Sequence, residues 1–138
     1  MKAIVTPSDL KRGDIVDPGW YQCIISDYSE KEAGTDKSTN CIFTFKIEAT
    51  RDGKPTKYAG CQGNKMMNEK ALGFGKKLYE VLEFPKTLEV PGEEEKGYEL
   101  SSELFRQTIG SRLLVYMKVG KSNKDNEFND PTDFEKLK

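Results

Sequence analysis

Between Cys41 and Thr50 apolar and polar residues alternate without interruption. Cys41, Phe43, Phe45, Ile47 and Ala49 fall on one face, and Thr44, Lys46, Glu48 and Thr50 fall on the other. A period of two is that of a half-buried strand, and a helix with its 3.6-residue repeat cannot satisfy it. The same period returns near the end of the chain, where Leu113, Val115, Met117 and Val119 alternate with Arg112, Leu114, Tyr116 and Lys118. Two such segments need a sheet that is apolar on one side and wet on the other.

The remaining elements fall around these two. Trp20–Tyr28 is rich in aromatic and β-branched residues and reads as a strand. Glu30–Thr39 is polar, contains Gly34, and reads as a loop. Arg51-Asp52-Gly53-Lys54 is a tight-turn signal, because Asp-Gly suits left-handed turn positions. A third strand is expected over Lys57–Gly63. Asn68 then caps a helix with Ala71, Gly75, Leu78 and Leu82 on one stripe, halted at Pro85. An acidic loop is expected over residues 89–103, and a fourth strand opens at Ile109-Gly110. Lys121–Glu127 is a polar turn, and Phe128–Leu137 supplies a short last strand broken by Pro131. Residues 1–18 form a lead-in, with about one helical turn over Thr6–Gly13 and a turn at Asp17-Pro18-Gly19.

A length of 138 residues suits one domain. The predicted class is mainly β: a five-stranded, OB-fold-like Greek-key barrel with one helix between strands 3 and 4. Rearranged sandwiches and other small barrels share this element count.

Composition narrows the chemistry. The chain has no histidine, which removes Ser-His-Asp and Cys-His catalysis and histidine metal sites. Cys23, Cys41 and Cys61 are odd in number and include no CxxC pair. They read as small buried hydrophobes rather than as disulfides, metal ligands or activated thiols. Neither a cofactor nor a metal is expected, and the protein reads as a binder rather than an enzyme. Gly73-Phe74-Gly75-Lys76-Lys77 is no phosphate loop: Lys70 stands where its first glycine belongs, and no Ser or Thr follows Lys76. Asp125, Glu127 and Asn129 lack the glycine and final glutamate of a calcium loop. No apolar run approaches the roughly 20 residues that span a bilayer, and the opening Met1–Pro7 turns polar too early for a signal peptide. The expected location is the cytoplasm.

Charge is unevenly distributed although the net value is only −1. Residues 89–103 carry six glutamates and one lysine, and residues 54–77 carry six lysines and one glutamate. That asymmetry fits either a polyanion-binding face or two ordinary solvated faces.

Four landmarks, in order, resemble the small single-stranded-DNA-binding proteins of tailed bacteriophages, including a group catalogued as a domain of unknown function. They are Pro18-Gly19-Trp20-Tyr21; Gly34 and Asn40 before Phe43-Thr44-Phe45-Lys46-Ile47; the glycine-containing Leu72–Leu78; and Ile109–Val115 with the closing Asn126–Asp130. The resemblance covers nearly all of the chain from Pro18 onward. It implies an OB-fold, a role in phage DNA replication or recombination, and the host cytoplasm as location. It also implies single-stranded DNA and replication or recombination proteins as partners.

Such a function needs cations that track phosphates and exposed rings that stack on bases. The aromatic candidates are Trp20, Tyr21, Tyr28, Tyr58, Phe74 and Tyr116, whereas Phe43 and Phe45 belong to the core. Among the cations, Arg51, Lys54, Lys57, Lys65, Arg112 and Lys118 are expected on strands or loops, and Lys76 and Lys77 on a solvated helix face. The nucleic-acid-binding set is therefore Trp20, Arg51, Lys54, Lys57, Tyr58, Lys65, Arg112, Tyr116 and Lys118. A contrasting reading is a small β-barrel adaptor or inhibitor that contacts a host protein through its acidic loop. An exposed edge strand would also permit a homodimer.

Overall fold

The alternation at Cys41–Thr50 is realised as β2 (Thr39–Thr50), whose inward residues Cys41, Phe43, Phe45 and Ile47 are all buried. The computed structural model describes residues 2–3, 14–83, 87–94 and 97–137; the turn expected at Thr6–Gly13 and the stop at Pro85 lie outside the described residues. β2 pairs with β1 (Gly19–Glu32) on one side and with β3 (Gln62–Asn68) on the other. The second alternating segment is β6 (Arg112–Lys121), which lies between β1 and β7 (Glu127–Glu135). The result is one antiparallel five-stranded sheet in the order β3-β2-β1-β6-β7. The mainly β, five-stranded expectation is met.

Several local expectations are corrected. The third strand runs over Gln62–Asn68 and not Lys57–Gly63. The stretch before it is a turn, with Ala59 N donating to Thr56 O at 3.2 Å and Gly60 at a φ of +95°. The helix after β3 is not continuous. A 3₁₀ segment (Glu69–Gly75), with Ala71 off helical geometry, precedes a short α1 (Lys76–Val81). Gly73 and Gly75 lower helix propensity across this stretch. The Asn68 cap is present, accepting from Lys70 N at 3.0 Å. Residues 89–103 are not simply a loop. They hold β5 (Gly97–Tyr98), paired with β4 (Thr87–Leu88), and the start of α2 (Ser102–Gln107). Among the described residues two α-helices, not one, therefore separate the third and fourth strands of the main sheet. Ile109 and Gly110 lie in the turn after α2, with Gly110 at a φ of +94°. Pro131 does not break the last strand: β7 is an edge strand with a register shift beside Pro131, and proline is tolerated there.

The inner face is filled by Cys23, Ile25, Phe43, Phe45, Leu113, Val115 and Met117, with Leu78 and Tyr79 of α1 and Phe105 of α2 packed into the same core. Tyr28, Phe43 and Phe105 form one aromatic cluster, with centroid separations of 5.0 to 5.5 Å. None of the three cysteines is in a disulfide, and all three are buried, as small hydrophobes would be. Burial pushes the Cys23 thiol well above its ordinary pKa.

Twist brings the two sheet edges together. The side chain of Asn129 on β7 donates from Nδ2 to Gln62 O of β3 (2.9 Å) and to Asp14 O (2.8 Å), and its Oδ1 accepts from Val16 N (3.0 Å). A Cβ on Gly63 would sit 3.1 Å from Asn129 O, so glycine permits this approach. Across the interior, Phe45 of β2 meets Phe134 of β7 at 5.3 Å. The edges are bridged by a side chain rather than by a ladder.

Candidate nucleic-acid interface

Strand alternation leaves an outer sheet face, and the register shows which side chains share it. Trp20 is opposite Tyr116, Gln22 is opposite Leu114, and Arg112, Ile24, Lys46 and Gln62 line up across four strands. Thr44 pairs with Asn64, and Ile42 pairs with Met66, which is 59% exposed. Directly opposed residues on one face lie close enough to act together.

At one end of this face the rings of Trp20 and Tyr116 meet edge-to-face with centroids 5.4 Å apart. The Arg51 guanidinium lies 5.2 Å from the centroid of the Trp20 ring. Arg51 is held there from two sides. Its backbone O accepts from Gln22 Nε2 at 3.2 Å, and its Nη2 reaches Glu135 at 2.8 Å. The turn that carries it is the Asp-Gly turn: Gly53 N donates to Thr50 O at 2.9 Å, and Gly53 has a φ of +81°. Beside this cluster is a recess of about 330 Å³ lined by Gln22, Arg51, Asp52, Leu114, Glu135 and Leu137. Further along the face Arg112 forks onto Glu48, with Nε–Oε1 2.9 Å and Nη2–Oε2 3.4 Å.

The nine predicted binding residues divide into two groups. Trp20, Arg51, Arg112 and Tyr116 come together on the outer face, and Lys118 follows Tyr116 on the same side of β6. Lys54 lies just past the Arg51 turn, its N bonded to Thr50 Oγ1 at 3.0 Å. Lys57 and Tyr58 lie elsewhere. Lys57 Nζ is 5.2 Å from the Tyr58 ring, and Tyr58 packs edge-on against Tyr21 on the opposite side of β1 from Trp20. Lys65 is opposite Phe43 and so occupies an inner-face position of β3.

Two other aromatic candidates belong to the core. Tyr21 is buried and donates its hydroxyl to Asp17 O at 2.5 Å, and burial raises its pKa to about 12. Tyr28 is buried against Phe43 and Phe105. Phe74 is 84% exposed, but on the 3₁₀ segment beyond the end of β3. Lys77 of α1 pairs with Asp133 at 2.7 Å.

Sequence reasoning passed over Lys46, Gln22 and the two carboxylates Glu48 and Glu135. Lys46 was legible, because alternation alone puts it opposite Phe45. Glu135 was not, since it is 84 residues from Arg51 and only the fold joins them.

No group of three or more acidic or cysteine side chains is placed to hold a metal among the described residues. No helix is long and apolar enough to cross a membrane among the described residues. The sequence matches no protein-family model, and a search of curated proteins finds no match.

Proposed function

We propose that this chain is a sequence-nonspecific single-stranded-DNA-binding protein with an OB-fold, serving phage DNA replication or recombination. The observation that carries this reading is the Trp20–Tyr116–Arg51 cluster on a sheet face that also presents Arg112 and Lys46. Rings give a sequence-tolerant stacking surface, and guanidinium and ammonium groups give phosphate contacts. The same face presents the neutral hydrogen-bonders Gln22, Gln62, Thr44 and Asn64.

Fold support comes from the strand order. A β1-β2-β3 meander, return strands that pair through β1, helices inserted before β6, and β3 and β7 edges bridged by Asn129 support the reading of this open five-stranded sheet as a small Greek-key barrel. The phage setting rests on the resemblance described above. The proposed role is binding, not catalysis.

Fluorescence anisotropy with a labelled oligo-dT and a duplex of equal length tests the proposal at low salt. Preferential binding of the single strand is expected, because a duplex hides its base faces. Equal or stronger binding of the duplex, or binding of neither, contradicts it.

One observation favours a second reading, a protein-binding adaptor or inhibitor. Val90 is 41% exposed near exposed Glu93 and Glu94. Recovery of a host protein on the wild type, lost on reversing Glu93 and Glu94 and unaffected by nuclease, would favour that reading.

A further inference from the structure

Both arginines of the outer face already hold an anion. Arg51 carries Glu135 at 2.8 Å, and Arg112 carries Glu48 through a fork of 2.9 and 3.4 Å. A carboxylate on a guanidinium fork presents the same paired oxygens as a phosphate. The four side chains remain between about a third and three-fifths exposed, at 49% and 39% for Arg51 and Glu135 and 57% and 36% for Arg112 and Glu48. A strand can therefore reach the pairs, and pairs this exposed are weak enough to be exchanged.

The first pair does more than neutralise charge. Glu135 bonds Arg51 Nη2 while that guanidinium lies 5.2 Å from the centroid of the Trp20 ring, so the arginine that pairs with Glu135 also covers Trp20. Gln22 fixes the Arg51 backbone, so the side chain can swing while the turn stays in place.

We propose that Glu135 and Glu48 are internal phosphate mimics that keep the nucleic-acid face in a self-occupied, low-affinity state. Strand binding exchanges each carboxylate for a backbone phosphate, and in the exchange at Arg51 the guanidinium leaves Trp20 free to stack. This inference rests on the single-stranded-DNA reading and adds to it a regulation of that same face. It also explains how a chain with a net charge of −1 can work as a polyanion binder without gripping every polyanion it meets.

The test is a set of oligo-dT titrations at fixed salt for wild type, Glu135→Gln, Glu48→Gln and the double variant. Glu93→Gln, which removes one charge from the acidic segment, is the control for net charge. Each single face variant is expected to bind about two- to fivefold more tightly and the double roughly tenfold, with Glu93→Gln near wild type. In the free protein, acrylamide should quench Trp20 more strongly in Glu135→Gln than in wild type. Wild-type binding with face variants no tighter than Glu93→Gln overturns the inference and leaves the single-strand reading standing. Wild-type binding that is tightened in the double variant beyond Glu93→Gln supports both. Binding by none of the proteins overturns both.

Discussion

Trp20 of β1 and Tyr116 of β6 are cross-strand partners whose rings meet edge-to-face, centroids 5.4 Å apart, on the solvent side of the sheet. Two aromatic rings placed together outside the core cost solvation that core rings do not, and the proposed function uses them as a stacking surface. Replacing either with alanine is expected to weaken oligo-dT binding roughly five- to hundredfold with little change in thermal stability. The double variant should lose less than the sum of the two, because the rings share one contact. Titrations of the three variants, with melting curves alongside, check this.

Asn129 should matter to folding more than any other polar side chain of β7. It makes three hydrogen bonds that tie β7 to β3 and to the segment leading into β1. Asn129→Ala leaves Val16 N and Gln62 O without that partner, and a loss of roughly 2–4 kcal/mol is expected. Urea denaturation measures it. A change under about 0.5 kcal/mol, the range of an ordinary surface substitution, would contradict the bridging role.

Gly75 is close-packed rather than flexible. A Cβ there would lie 2.6 Å from the ring of buried Tyr79 and 2.8 Å from Met67 Sδ. Gly75→Ala should destabilise by about 1–3 kcal/mol despite its better helix propensity. The neighbouring Gly73 has nothing within 4 Å of such an atom, so Gly73→Ala should be neutral or slightly stabilising. Paired melts of the two variants separate the cases.

Acid should loosen the contact of α2 with β1. Glu30 accepts from Ser102 Oγ, from Tyr28 Oη at 2.9 Å and from Arg106 Nη2 at 3.2 Å. The Ser102 bond foremost, helped by Tyr28 and Arg106, holds its carboxyl below the ordinary 4.5. Asp36 is lowered to about 2, mainly by Lys70 and then Ser38. A carboxyl with a depressed folded pKa binds fewer protons folded than unfolded. Its contribution is present above the ordinary carboxylate range and is lost as pH falls through the folded value. Stability should therefore decline between about pH 5 and pH 2, and Glu30→Gln should make that decline shallower. Melting temperature against pH for the two proteins checks both statements.

These relationships show what could be read from the chain in advance. Alternation gave β2 and β6 and put Phe43 and Phe45 inside, because a period of two is a local property, and aromatic and β-branched content gave β1. The Asp-Gly turn was equally local, and Gly53 has the positive φ it requires. β3 was displaced by several residues. Its outward Asn64 and Met66 and inward Gly63 and Met67 make no clean pattern, and the Lys57–Tyr58 stretch before it looked more strand-like than it is. α2 was hidden in an acidic stretch. Its start signals were Ser101, which accepts from Leu104 N at 3.2 Å, and Glu103 in the first turn, one more acid among many. Of the site, Tyr116 was legible as an outward aromatic, whereas Trp20, after its Pro-Gly turn, could equally have plugged the end of a barrel. The contact of Trp20 with Arg51, and the carboxylates that hold the two arginines from 64 and 84 residues away, depend on the fold.

The most direct measurement uses Trp20, the single tryptophan of the chain, as a reporter inside the proposed interface. Its emission should be quenched by oligo-dT at low salt. With Arg51, Arg112 and Lys46 each taking a phosphate, log affinity should fall with log salt at a slope of about −2. Unchanged emission and no binding at the lowest salt would contradict a single-stranded-DNA ligand for this face.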